Sequence, residues 1–391
     1  MAILIFTTDY KPSQGSGIAN FTFFLVETLD AAREAIIVLS PKVPDSQKFD
    51  KKQRFRTYRF TNILIWRELY CFFFLLFLMK KHNIKIIINM VWLPCGVISF
   101  MLNILMKIPY CIVVYGADVV HKAPAHPSLK HRIRSRMRGV KQKVFENANK
   151  IFAISGYTKQ LLKHYAVSEN KIKIVYPACV PFTVFHPSLD GHAVKSKFAP
   201  RNEKLILSVG RMDFYKGHDG VIRALSTLRD KTAPFHYVIV GTGHEKQNLQ
   251  NLVRTLHMES HVSFAGEVND LELPLYYAAC DLFVFPSLEI EEAGEMEGFG
   301  IVLVEAMACK KPVISGISGG TREVVIHEES GLLVNAGDTE KLAGAIKRML
   351  CDEPFARKMA ENGYNRAREI FDGQKIAKTF LDELKKIYET V

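Results

Sequence analysis

The chain of 391 residues holds few cysteines, seven in all, odd in number and widely scattered, with no Cys-x-x-Cys pair and no Cys/His cluster. That scarcity argues against a disulfide scaffold or a zinc site and fits a reducing cytoplasm. Long apolar runs are missing too. The most conspicuous, residues 71–79, falls short of the roughly twenty residues that cross a hydrocarbon layer. It reads as a buried core helix; an interfacial membrane-binding face is the alternative, because Lys80 and Lys81 follow it directly. The N-terminus lacks the basic region and small-residue cleavage site of a secretory signal, so its apolar opening reads as a first buried strand. Neither the dinucleotide fingerprint nor the Walker loop occurs, which argues against NAD and ATP γ-phosphate chemistry. No internal repeat or low-complexity tract is present.

What is present is an ordinary globular composition, 48% hydrophobic and 24% charged, in a chain too long for one core. The formal net charge of +12 is unevenly spread: residues 1–185 carry 27 Lys/Arg against 10 Asp/Glu, and residues 186–391 carry 25 against 30. Between Lys122 and Lys143 every charged residue is basic. Such a run usually forms a solvated helix face, but a field of this size favours an anionic partner. No nucleic-acid motif or basic-aromatic interleaving accompanies it, so anionic lipid is the better reading and nucleic acid is not expected.

Short apolar runs at 3–7, 35–39, 84–89, 110–115, 150–154 and 173–176 alternate with amphipathic stretches. They are apolar on successive residues, the mark of strands covered on both faces in a parallel, doubly wound α/β sheet. Three prolines between 177 and 187 place a linker there, and the rhythm restarts at 205–210, 237–240, 262–264, 282–285, 312–315 and 331–334. The expected organisation is two Rossmann-like domains, 1–185 and 186–374, with a last amphipathic helix, 375–391, that must pack on something.

Ligands of open α/β sheets bind outside the carboxyl ends of the strands, so the strand-to-helix turns carry the candidates. The first turn holds Gly15, Ser16 and Gly17, where missing Cβ atoms let a phosphate meet a helix end, although a merely tight turn would look the same. The second holds Gly210, Arg211 and Lys216, two cations and a helix N-terminus suited to a diphosphate. The third is the strongest: an acidic loop ending in Glu297, then Gly298-Phe299-Gly300 and a helix beginning Ile301-Val302. Bare first-turn amides there can bind a phosphate oxygen. Glu305 lies one turn further on, and helical side chains lean toward the N-terminus. Two carboxylates in this setting can each accept paired hydrogen bonds from vicinal hydroxyls of different sugars.

At these residues the chain resembles the family-four retaining glycosyltransferases, whose hallmark is two glutamates eight residues apart in a Glu-Gly-(Phe/Leu)-Gly…Glu run. The likeness covers essentially the whole chain. Gly210-Arg211…Lys216-Gly217, Cys280-Asp281…Pro286-Ser287, Glu297…Glu305-Ala306, Pro312-Val313-Ile314 and Gly319-Gly320-Thr321 follow in the family's order. It is most similar to GDP-mannose-dependent phosphatidylinositol-mannoside mannosyltransferases. The resemblance implies a GT-B fold, two Rossmann-like domains facing each other with the C-terminal helix returning to the first. It implies that Glu305 holds the ribose, Glu297 the transferred sugar, Arg211 and Lys216 the diphosphate, and Gly15 to Gly17 approach it from the other domain. The amides of Gly298, Phe299, Gly300, Ile301 and Val302 would complete the cradle. The implied chemistry is hexosyl transfer with retention from GDP-mannose or a UDP-sugar to a glycan or lipid-linked acceptor. No cofactor and no metal are required, in keeping with the missing Asp-x-Asp. In many relatives a strand of the first domain ends in His-Gly-x-(Asp/Glu); here the run is Tyr115-Gly116-Ala117-Asp118. Tyr115 can donate a hydrogen bond but cannot serve as a base near neutral pH. The expected setting is cytoplasmic, peripheral at the inner face of a membrane through the basic half. Two further readings stand beside this one: a nucleotide-sugar epimerase, against which the glutamate spacing argues, and a non-catalytic nucleotide-sugar-binding protein in which Tyr115 replaces a needed His.

Overall fold

The computed structural model describes residues 2–13, 17–61, 67–116, 118–120, 137–177, 180–290 and 294–390. They form two compact units, Met1–Cys179 with Gly373–Val391, and Val180–Asp372.

The first unit is a seven-stranded parallel sheet. Its strands are β1 (Ala2–Phe6), β2 (Ala35–Pro41), β3 (Arg56–Phe60), β4 (Ile86–Asn89), β5 (Tyr110–Val114), β6 (Lys150–Ala153) and β7 (Ile172–Ile174). The spatial order is β3-β2-β1-β4-β5-β6-β7, so the winding direction reverses between β1 and β4. All residues of β4 and β5 are buried, because helices cover both faces of the sheet. On one face the helices Arg67–His82, Val97–Met106 and Arg138–Asn147 enclose a core that includes Leu75, Leu102, Ile112 and Phe145. On the other lies Gly17–Ala31 with the C-terminal helix Gly373–Thr390. That last helix is amphipathic because it docks here: Phe380 stacks on Phe152 at 4.0 Å between centroids, and Glu383 pairs with Lys150 at 2.7 Å.

Three features depart from the sequence pattern. β3 has the sequence Arg-Thr-Tyr-Arg-Phe and was not expected as a strand; it is a sheet edge, paired only with β2, so it needs no apolar run. The helix carrying the apolar run buries Cys71, Leu75, Leu78 and Met79 but leaves Tyr70, Phe73 and Phe77 exposed, so only one of its faces is core. Of the basic run, residues 122–136 lie outside the described residues. Lys141 is not on a solvated face at all: it is buried, its Nζ 4.9 Å from the Tyr165 ring centroid and 5.2 Å from that of Trp92.

The second unit is a six-stranded parallel sheet of β8 (Lys204–Val209), β9 (Phe235–Val240), β10 (Val262–Gly266), β11 (Leu282–Phe285), β12 (Val313–Gly316) and β13 (Leu332–Val334). Its order is β10-β9-β8-β11-β12-β13, which puts the reversal between β8 and β11. From the carboxyl ends of those two strands the chain departs in opposite directions along the sheet, and this is where an open α/β sheet has room for a ligand.

Candidate functional site

The β8 and β11 loops of the second unit carry the residues singled out by their sequence. After β8 the chain passes Gly210 and Arg211, makes a short 3₁₀ turn, Phe214–Lys216, and enters the helix His218–Leu228 through Gly217. Gly217 is left-handed (φ 69°), and a Cβ there would lie 2.2 Å from the carbonyl oxygen of Pro286, just after β11. This close approach brings the two loops together.

Their meeting places Lys216 Nζ 2.5 Å from Glu297 Oε2 although the residues are 81 positions apart. The ammonium also sits over the rings of Tyr215 and Phe285, 4.9 and 5.0 Å from their centroids. Burial alone would lower its pKa, but Glu297, followed by Tyr215, outweighs burial and holds it above the ordinary lysine value. Arg211 stands nearby and more exposed, 3.0 Å from Asp213 and 3.3 Å from the Tyr215 hydroxyl.

Glu297 is held at its backbone. Its N–H donates to Ser318 Oγ at 3.0 Å, and its carbonyl accepts from Gly320 N at 2.9 Å. Ser318 in turn donates to the Leu288 carbonyl, and Glu289 accepts from Gly319 N. The turn after β12 thus braces the acidic loop. Gly298 and the buried Phe299 follow, and Gly300 (φ 94°) turns the chain into the helix Ile301–Ala308. No side chain caps that helix end, so its first amides are available to an anion.

Glu305 lies within the same helix, 8% exposed, and accepts a 2.6 Å hydrogen bond from Tyr277 Oη. Tyr277 belongs to the helix Leu273–Ala279 and is wedged edge-on against Phe185. Burial, then the Glu305 carboxylate, pushes its phenol well above the usual value, so it remains a donor at any pH of interest. The apolar helix gave no sign of this partner in sequence; nor did the spacing reveal Ser318, although it directly precedes the Gly319-Gly320 pair.

Of the candidates in the first unit, Gly15 and Ser16 lie outside the described residues, and Gly17 begins the helix Gly17–Ala31. Tyr115 and Asp118 share the turn after β5. Asp118 Oδ1 accepts from the Tyr115 backbone N–H at 2.9 Å, and burial raises the carboxyl pKa against that bond. Asp118 is built into the turn that carries Tyr115.

Beneath the β8 loop, buried His218 faces the Arg211 carbonyl at 3.3 Å and the Tyr237 hydroxyl at 3.5 Å. Burial lowers its pKa from 6.5 to about 4. Between those values the unfolded chain binds a proton that the folded chain refuses, so stability rises with pH across the window. Lowering the pH from 7 to 4.5 should cost the wild type about 2–3 kcal/mol more than it costs His218→Gln. Urea melts of both proteins at the two pH values measure the difference, and equal pH slopes would refute the buried neutral imidazole.

The chain is similar to known proteins in sequence and in fold. Residues 15–179 match the model described as Glycosyltransferase Family 4, and residues 192–366 match that described as Glycosyl transferases group 1. A GDP-mannose-dependent alpha-(1-6)-phosphatidylinositol monomannoside mannosyltransferase of Mycolicibacterium smegmatis is 26% identical over 365 residues, covering 92% of each chain. A Campylobacter jejuni 4-alpha-N-acetylgalactosaminyltransferase that acts on a diphospho-undecaprenol-linked sugar is 32% identical over 230 residues, 59% of this chain and 58% of that one. Among solved structures, sucrose-phosphate synthase of Thermosynechococcus elongatus superposes with a TM-score of 0.82 at 22% identity, covering 100% of both chains. Anabaena HepE with UDP and glucose superposes at 0.80 with 21% identity, over 99% of this chain and 100% of that one.

Proposed function

Because the chain belongs to the glycosyltransferases, with a Family 4 domain followed by a group 1 domain, we propose that it moves a hexosyl group from a nucleotide diphosphate sugar to an acceptor hydroxyl. The best donor is GDP-mannose, and the acceptor is a glycan or lipid-linked sugar at a membrane surface. Transfer proceeds with retention and without a metal. The observation that carries this reading is the largely buried Lys216–Glu297 pair beside the uncapped helix Ile301–Ala308 at the β8/β11 reversal.

In this reading the diphosphate lies against Lys216 and Arg211 with an oxygen on the first amides of Ile301–Ala308. The bond between the anomeric carbon and the β-phosphate oxygen breaks, and negative charge grows on that oxygen. Fixed cations and helix amides stabilise the growing charge at no cost in reorganisation. The acceptor oxygen bonds to the anomeric carbon on the face the diphosphate leaves, and its proton passes to the departing phosphate. Glu297 holds the hydroxyls of the transferred sugar, and Glu305, aimed by Tyr277, holds the ribose. Tyr115 and Asp118 belong to the acceptor side, Asp118 as a positioning residue for the Tyr115 turn. Gly15, Ser16, Gly17 and Gly210 are assigned to diphosphate binding on the family resemblance alone. GDP-mannose rests on relatives that align over nearly the whole chain. A different sugar is the second reading, because the N-acetylgalactosaminyltransferase is more alike where it aligns.

A thermal-shift panel of GDP-mannose, UDP-glucose, UDP-N-acetylgalactosamine, GDP and UDP tests the reading. GDP-mannose and GDP should raise the melting temperature, and Glu305→Ala should abolish the rise. A response confined to UDP compounds selects the second reading, and no response to any of them sinks the proposal.

A further inference from the structure

The first unit carries a surface that the proposed reaction does not use. Of the fourteen large apolar side chains exposed among the described residues, eight lie on the helices Arg67–His82 and Val97–Met106. These helices pack on each other and on the same face of the sheet. On the first, Tyr70, Phe73 and Phe77 point outward, opposite the buried Cys71, Leu75 and Leu78; on the second, Met101, Ile104 and Leu105 do so, opposite Leu102. Phe73 is 60% exposed and Leu105 66%. Soluble monomers seldom leave so much contiguous apolar surface uncovered.

Two further observations say what covers it. Tyr70, Phe74 and Phe77 stack in a ladder along their helix, with centroids 5.5 and 6.1 Å apart and rings within 18° of parallel. Charge is the second observation. From Leu69 to Ala117 the chain has no Asp or Glu, while Lys80, Lys81 and Lys107 are exposed at the ends of the two helices. Because those helices lead into the adjacent parallel strands β4 and β5, their lysine-bearing ends lie at the same end of the sheet. An apolar platform with aromatic rings, three lysines at one end and a single acidic residue, Glu68, at the opposite end of the first helix fits an anionic bilayer, with rings and aliphatic chains among the acyl chains and ammonium groups at the headgroups.

We infer that the outer face of these two helices docks the protein on an anionic lipid surface by shallow insertion. No helix among the described residues is long and apolar enough to span the bilayer, so the attachment is to one leaflet. The occupant is lipid rather than a second copy of the chain, since each face carries Lys80, Lys81 and Lys107 against Glu68 alone, and pairing two copies would leave the excess positive charge uncompensated.

Flotation with vesicles of phosphatidylglycerol and phosphatidylcholine, and of phosphatidylcholine alone, tests the inference. The protein should float with the mixed vesicles in about 0.15 M salt. Phe73→Ser/Leu105→Ser should reduce partitioning by at least about tenfold, and Lys80→Ala/Lys81→Ala/Lys107→Ala by about fivefold per lysine. These positions are exposed, so neither variant should change the melting temperature or its response to nucleotide. The inference fails if the wild type stays unbound with both vesicle types, or if the apolar variant floats as the wild type does. It also fails if the wild type is a dimer in solution that this variant dissociates. Vesicle binding without any nucleotide response would sink the proposed reaction and leave this surface standing.

Discussion

Lys216→Ala should lower kcat/KM for glycosyl transfer by about 10²–10³-fold, mostly through kcat, because in the proposed reaction it removes one of the two cations assigned to the charge that leaves with the diphosphate. The side chain is only 12% exposed, and the Tyr215 and Phe285 rings keep water from it, so its field is poorly screened. The raised Lys216 pKa means that the contribution of the Glu297 pair is fully present through neutral pH. It is lost only as pH rises through that elevated value. The substitution also strands a nearly buried carboxylate, which should cost about 3 kcal/mol of stability. A double-mutant cycle separates the two effects. Lys216→Ala/Glu297→Ala should recover stability relative to Lys216→Ala, because no charge is left unpaired, yet be no more active. If Lys216→Ala is merely less stable and its kcat/KM stays within about threefold of wild type, the pair is structural and the proposed role of Lys216 is wrong.

That pair also shows where the sequence is legible. Lys216 and Glu297 each announce themselves, one between a strand-ending glycine and a helix, the other before a Gly-Phe-Gly helix entrance. Their contact does not, because it depends on the reversal of strand order between β8 and β11, which no local pattern encodes. The same contrast runs through the fold. β4 and β5 are readable as strands because both faces are buried and every residue is apolar or packed; β3 is not, because an edge strand tolerates Arg56 and Arg59, the latter tied to Asp50 at 2.7 Å. Lys141 reads as part of a solvated basic run, but Trp92 and Tyr165, from two distant segments, join Phe145 of its own helix to bury it. The apolar run near residue 75 reads as core, and half of its helix is; the exposed half is visible only once the sheet shows which side it covers. Tyr277 lies in a helix whose pattern predicts packing, and only the fold discloses that its hydroxyl reaches Glu305.

Gly319→Ala should destabilise the second unit by about 2–5 kcal/mol and weaken donor binding at least about tenfold. Two costs add. Gly319 has φ +49°, where an L side chain is strained, and its Cβ would lie 2.1 Å from the carbonyl oxygen of Glu297. The obstacle is backbone rather than a flexible side-chain tip, so either the turn after β12 or the acidic loop must move. Both carry the bonds that place Glu297: Gly320 N to its carbonyl, and Ser318 Oγ from its N–H. Gly266→Ala separates the costs, for Gly266 also has positive φ, +73°, but its Cβ would meet nothing within 4 Å. That variant should lose only the conformational share, about 1–2 kcal/mol, and keep its place in the β10 loop. Chemical melts of the two proteins, with and without GDP, compare them directly. A Gly319→Ala protein that melts and binds like Gly266→Ala would mean that the loop relaxes freely, and that the close approach of the Ser318–Thr321 turn is not what holds Glu297 against Lys216.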